Sequence, residues 1–158
     1  MPPTEAMGSV ESSVLVEAFV PTVFRFLWPD RVGAWYAPAN GTRFELLSPG
    51  GMGPGARILV RGESRFGPRA YEAEVVEWEP PHAFAWRVLR GAPRAEVALR
   101  CEPEGARTRV TMRNRYRVRP PLLGALLDRW FVRPRIEAVD RESVENLKAL
   151  AEGRRGCS

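Results

Sequence analysis

The run PPLLGALLDRWFVRPRIEAVDRESVENLKALAE, Pro120 to Glu152, carries the one long helical pattern in the chain and decides what the rest must form. Leu123, Leu127, Trp130 and Pro134 fall on one face at helical spacing, and Ile136, Val139, Leu147 and Leu150 continue an apolar stripe whose centre has rotated. The rotation falls at Pro134, where a missing N–H and a ring clash predict a kink or a late helix start. Leu122, Leu126 and Phe131 widen the apolar arc of the first half to roughly half the circumference. A face that broad needs a broad partner, and the preceding residues supply one only if they form a sheet.

Working back from the helix, Thr108 to Val118 places Val110, Met112, Asn114, Tyr116 and Val118 on one face and Arg109, Thr111, Arg113, Arg115 and Arg117 on the other. The same dry-inside, wet-outside split recurs in Ile58, Val60 and Phe66 against Arg57, Arg61, Glu63 and Arg65. It recurs again in Ala95, Val97, Leu99 and Cys101 against Arg94, Glu96 and Arg100. Strands are expected over Ser9 to Val20, Thr42 to Leu47, Ala56 to Phe66, Tyr71 to Trp78, Ala83 to Leu89, Ala95 to Cys101 and Thr108 to Val118. Gly67-Pro68, Glu79-Pro80-Pro81, Gly91-Ala92-Pro93 and Glu102 to Gly105 read as turns, and connections this short imply antiparallel neighbours. Pro21 suits the first turn of a short helix ended by Pro29, and DRVGAWYAP reads as a second one presenting Val32, Trp35 and Tyr36. The expected architecture is α+β: a curved seven-stranded antiparallel sheet gripping a long C-terminal helix, with two short helices after the first strand. Such a sheet cannot pack all its inward residues against one helix about 10 Å across, so an apolar space between them is expected.

A chain of 158 residues suffices for one domain spanning 1–158 with its own core. Cys101 and Cys157 make no disulfide framework and are read as free thiols. No run approaches the ~18 apolar residues that span a bilayer, and MPPTEAMGSVESS lacks a basic region followed by an apolar one. The expectation is a cytoplasmic protein without integral membrane association; monomer and homodimer both remain open. The net charge of +5 is carried almost wholly by arginine, with Lys148 the single lysine. That balance raises nucleic acid as a partner, and Arg107, Arg109, Arg113, Arg115, Arg117 and Arg119 would supply the stripe. The stripe has no outward aromatics for base stacking, and acids on neighbouring strands could neutralise it.

Metal chemistry is not expected: His82 is the one histidine, it sits beside a double proline, and neither cysteine has a partner at ligand spacing. No cofactor is implied, and the GMGPG loop lacks the lysine of a phosphate cradle. A nucleophile at Ser64 or Cys101 would need His82 as its base, and nothing arranges one. More informative are polar residues on dry faces, Asn114, Ser12 and Ser64, each of which must meet another polar group, a water or a ligand. The acids fall mostly on outward positions, with Asp30 and Asp128 near helix ends, so an enzyme reading stays open with no catalytic residue assigned.

VFRFLWPDRVGAWY at 23–36, YEAEVVEWEPPHAFAWRV at 71–88 and GARTRVTMRNRYRVRPPLLGALLDRWFVRPRIEAVDRESVENLKALAE at 105–152 resemble three parts of the START-related helix-grip superfamily (SRPBCC), which includes polyketide cyclase/dehydrase-like proteins. They are similar to its opening helical pair, its central hairpin, and its last strand with the closing helix. Trp35 matches the tryptophan of the helical pair, and Glu77 to Pro81 with Trp86 match the hairpin. The resemblance implies a hydrophobic cavity between sheet and helix that takes a small hydrophobic or lipid-like molecule for binding or transport. A cyclase/dehydratase-like enzyme and an interaction module using the arginine face are the alternatives. Cavity candidates are Trp35, Phe66, Tyr71, Trp86, Met112, Asn114, Tyr116, Leu123, Leu127, Trp130 and Phe131. On this reading Leu122 to Phe131 covers the entrance while Ile136 to Leu150 anchors the helix.

Overall fold

Antiparallel pairing organises the whole chain in the computed structural model, which describes residues 7–37, 41–64, 67–92, 94–117 and 128–153. Seven strands form one sheet: β1 (Met7–Val16), β2 (Thr42–Leu46), β3 (Arg57–Ser64), β4 (Gly67–Glu79), β5 (Ala83–Arg90), β6 (Ala95–Glu104) and β7 (Arg107–Arg117). Their spatial order is β1-β7-β6-β5-β4-β3-β2, so every neighbour except β1 beside β7 follows in sequence. Between β1 and β2 lie α1 (Val20–Phe24), a 3-10 turn (Arg25–Leu27) and α2 (Pro29–Val32). A π-helical turn (Asp128–Val132) leads into α3 (Arg133–Ala151). This is the helix-grip arrangement. Among the described residues no helix is long and apolar enough to cross a membrane.

Strand alternation sets the two faces. Val10, Val14 and Val16 of β1, Ile58 and Val60 of β3, Val97, Leu99 and Cys101 of β6, and Val110 and Met112 of β7 are buried on the inner face. The outward face is tied across strands: Arg113 to Glu11 at 2.9 Å, Arg87 to Glu74 at 2.7 Å, Arg100 to Glu77 at 3.2 Å and Arg109 to Glu104 at 3.1 Å. Those pairs are largely solvent-exposed and each adds little to stability. A register shift between Val75 and Glu77 marks an irregularity where β4 pairs with β5. It lets Val75 and Trp78 both face inward, paired with Trp86 and Phe84, while Glu77 points out beside Ala85. Trp78 stacks edge-on to Phe84 and lies 5.3 Å, between ring centroids, from Phe24 of α1.

Several boundaries differ from the sequence expectation, among them Glu102 to Glu104, read as a turn but paired with Arg107 to Arg109 at the end of β6. Val20, read as the end of the first strand, opens α1, and Pro29 begins α2 instead of ending the helix before it. Proline is at home there because the first-turn N–H has no helical partner to lose. Gly67 and Pro68, read as a turn, are the first pairing residues of β4. Pro134 resolves in the same way: it occupies the first turn of α3, and the π-helical turn precedes it. The extra residue of a π turn shifts the angular position of the side chains that follow it. Leu122, Leu123, Leu126 and Leu127 lie outside the described residues.

Helix α3 lies against β1, and its C-terminal end is pinned there. Lys148 Nζ donates to Leu15 O at 2.7 Å and to Glu152 Oε2 at 2.7 Å, while Glu152 Oε2 also accepts the Glu17 N–H at 2.9 Å.

Candidate functional site

The segment after α2 is held to α3 at two points, and the site lies beside them. The Ala37 N–H donates to Ser143 Oγ at 2.9 Å, and Ser143 in turn donates to Val139 O at 2.7 Å. Asn146 Nδ2 donates to Trp35 O at 3.1 Å. Trp35 is fully buried and its indole N–H donates to Phe26 O at 2.7 Å, so it locks the helical pair from within. Gly33 permits the approach of this segment to β2, since a Cβ there would collide with the Thr42 carbonyl. Ser143→Ala should therefore cost about 1–2 kcal/mol, because the Ala37 N–H loses its partner in a buried place; chemical denaturation would read it as a lower midpoint at unchanged slope.

Between the two tethers sits Tyr36, whose ring meets Phe44 at 5.8 Å and Trp86 at 6.2 Å. One turn before Ser143 on α3 is Asp140, fully buried. Among the described residues no hydrogen bond of good geometry reaches either Asp140 oxygen, Asn114 Oδ1 on β7 or Trp86 Nε1 on β5. Burial pushes the Asp140 carboxyl up to about 6, and nearby Asn114 works against that rise without forming a hydrogen bond of good geometry. Burial also raises the Tyr36 hydroxyl, helped by Tyr71 and by Asp140, which places all three groups in one neighbourhood. The Tyr71 hydroxyl is raised by burial, with the Trp86 N–H opposing. The result is an acid, an amide, two phenols and an indole gathered on the inner face from α3, β7, the α2–β2 connection, β4 and β5. A carboxyl held near neutrality can give or take a proton, and the unpartnered atoms can bind the polar end of a molecule.

Of the cavity candidates, Trp35, Trp86, Met112, Asn114 and Tyr116 are buried on the inner side and Tyr71 is half-buried. The Tyr116 ring lies over Gly8 of β1, occupying the space a side chain there would need. Trp130 and Phe131 stand 68% and 59% exposed on the π-helical turn, away from the buried inner face. Phe66, Leu123 and Leu127 fall outside the described residues, as does the side chain of Ser64. Two members of the cluster, Tyr36 and Asp140, were missed. Asp140 had a readable signal, since it lies four residues from both Ile136 and Val144 and so falls within the apolar stripe. His82 is exposed, and no group of metal ligands occurs among the described residues. On the outward face a shallow groove of about 460 Å³ runs over Ala85 and Ala98 between arginines. Three of those arginines are engaged by acids of other strands: Arg87 and Arg113 pair with neighbouring strands, and Arg100 of β6 reaches across β5 to Glu77 of β4.

Residues 7–152 match the family described as Polyketide cyclase / dehydrase and lipid transport. The chain belongs to this family. Solved structures agree on the fold. The Staphylococcus aureus protein of unknown function SA2116 superposes with a TM-score of 0.76 at 10% identity, covering 95% of this chain and 96% of that one. The Thermus thermophilus protein TTHA0849 gives 0.71 at 18% identity, covering 92% and 98%. The Zhui aromatase/cyclase from Streptomyces gives 0.62 at 18% identity, covering 92% and 96%. Comparison with curated protein sequences gives no match.

Proposed function

We propose that the protein binds, and by binding can carry, a small and largely apolar molecule between the inner face of the sheet and α3. The observation that supports this reading is the set of buried, unpartnered polar atoms of Asp140, Asn114 and Trp86 on a face otherwise built of Val, Leu, Met and aromatic side chains. Each unmet buried polar group costs about 1–3 kcal/mol, a burden that a ligand's polar end would relieve while its apolar body meets Trp86, Met112 and Tyr116. The segment carrying Leu123, Leu127, Trp130 and Phe131 is the proposed entrance. Native mass spectrometry with solvent extraction should find a copurifying apolar molecule, or the protein should take up a hydrophobic fluorescent probe that lipids displace. A protein that neither retains a ligand nor binds the probe would end this reading.

Asp140 favours a second reading, a cyclase/dehydratase-like enzyme in which that carboxyl moves a proton on the bound molecule. Its pKa near 6 suits proton transfer close to neutral pH. Turnover lost in Asp140→Asn with ligand affinity retained would select this reading over simple binding.

A further inference from the structure

The polar atoms left over on the inner face are unequal in kind. Among the described residues the buried polar and charged side chains are Thr108, Asn114, Asp140 and Ser143. Thr108 is satisfied by donating to Ala18 O at 2.7 Å, and Ser143 both donates and accepts. The fully buried atoms left without a hydrogen bond of good geometry are three acceptors, both Asp140 oxygens and Asn114 Oδ1, and one donor, Trp86 Nε1, which lies near the Tyr71 hydroxyl. Turning the Asn114 amide over would trade one acceptor for donors and still leave a carboxylate with about four lone-pair sites in excess. No lysine, arginine or histidine is buried with them among the described residues. Lys148 is occupied by Leu15 O and Glu152, the paired arginines of the sheet such as Arg87 and Arg113 lie on its opposite face, and Arg25, Arg31, Arg129, Arg135 and Arg141 on the helices are exposed. The protein is thus basic outside and acidic within.

We propose that the ligand meets Asp140 and Asn114 through hydrogen-bond donors, an ammonium group or hydroxyls, and that the site rejects molecules ending in a carboxylate or phosphate. This rests on the binding reading above and names the polar end of the molecule bound. An ammonium offers three N–H donors to three unpartnered acceptors and neutralises the buried charge. The rings of Tyr36, Phe44 and Trp86, 5.6–6.2 Å apart between centroids, supply aromatic surface for the apolar part. A carboxylate brought to the same place would face Asp140 with no cation between them. The groups facing Asp140 bring hydrogen-bond donors but no positive charge to hold an anion beside it. Asn114 from β7 is neutral, and burial keeps the Tyr36 and Tyr71 hydroxyls protonated at neutral pH.

The test uses four naphthalenes that differ only in the polar end: 1-naphthylmethylamine, 1-naphthylmethanol, 1-naphthoate and 1-methylnaphthalene. Each is titrated calorimetrically, or by displacement of a fluorescent probe, into the full-length protein and into Asp140→Asn at pH 7.5. The amine and the alcohol are expected to bind wild type at least about tenfold tighter than methylnaphthalene, with the carboxylate weakest, and the substitution should abolish the advantage of the amine. Carboxylate binding that equals or exceeds that of the amine in wild type would overturn the inference and leave the binding reading standing. An amine preference unchanged in the variant would overturn the role given to Asp140. If none of the four binds, methylnaphthalene included, the binding reading itself falls and takes this inference with it.

Discussion

Replacing Asp140 with asparagine is expected to make the protein more stable at neutral pH, by on the order of 3 kcal/mol. The carboxyl is raised from 3.8 to about 6 because the folded protein removes it from water without giving either oxygen a partner. Between those two values the native state holds more protons than the unfolded chain, so wild-type stability declines as pH rises through that window and stays reduced above it. Asparagine has no proton to lose and keeps the shape, and its new N–H donors lie in the neighbourhood of the unpartnered Asn114 Oδ1. The stability difference should be near zero below about pH 4, grow toward pH 6 and then level off. In a chain of this length the plateau corresponds to a melting temperature higher by roughly 6–12 °C. Thermal melts of both proteins from pH 4 to 8 would measure it. A pH-independent difference, or a variant less stable than wild type at pH 7.5, would mean that Asp140 is already well partnered. A stabilising substitution at a buried acid is the signature of a group kept for function at a cost to the fold.

How the sequence conceals Asp140 follows from how helices are read. The stripe drawn from Ile136, Val139, Leu147 and Leu150 counts apolar residues only, and Val139 turns out to be 37% exposed. The buried face runs instead through Asp140, Ser143, Val144 and Leu147, where two polar side chains stand at core positions. Ser143 is there to hold the Ala37 N–H, and Asp140 makes no hydrogen bond of good geometry among the described residues. Strands were far more legible, because a sheet with one dry face writes its register as strict alternation, and Val110, Met112, Asn114 and Tyr116 all lie buried where that alternation puts them. Alternation failed where the structure bends. The shift between Val75 and Glu77 turns Trp78 inward beside Phe84, a single-residue event that leaves no periodic trace. Short helices were found but misbounded, since proline marks a start as readily as a stop and Pro29 and Pro134 both mark starts. Tyr36 was legible only as a neighbour of Trp35; its place in the cluster depends on tethers to α3 more than one hundred residues away in the chain.

Those tethers make Trp35→Ala the second large effect, in the opposite direction. Trp35 is completely buried, and truncating a core tryptophan costs about 3–5 kcal/mol through lost burial and the cavity left behind. The substitution also strips Phe26 O of its donor, a further loss of about 1–3 kcal/mol if the carbonyl stays shielded from water. Against a total stability of about 5–15 kcal/mol for a domain, the variant should unfold at a much lower urea concentration. Trp35→Phe isolates the hydrogen bond from most of the volume and should lose only about 1–3 kcal/mol. The two substitutions also separate architecture from chemistry. Trp35 meets the cluster through its ring, edge-on to Tyr36 at 6.1 Å between centroids, and through the backbone it positions: its carbonyl is held by Asn146, and Ala37 is held by Ser143. Loosening that segment should weaken probe binding together with stability, whereas Asp140→Asn should raise stability while changing which probes bind. Equilibrium denaturation followed by circular dichroism, paired with probe titration on the same preparations, would show the two properties falling together in one variant and moving apart in the other. If Trp35→Ala kept full probe affinity, the segment after α2 would be a support for the sheet alone, and the binding site would have to be built without Tyr36.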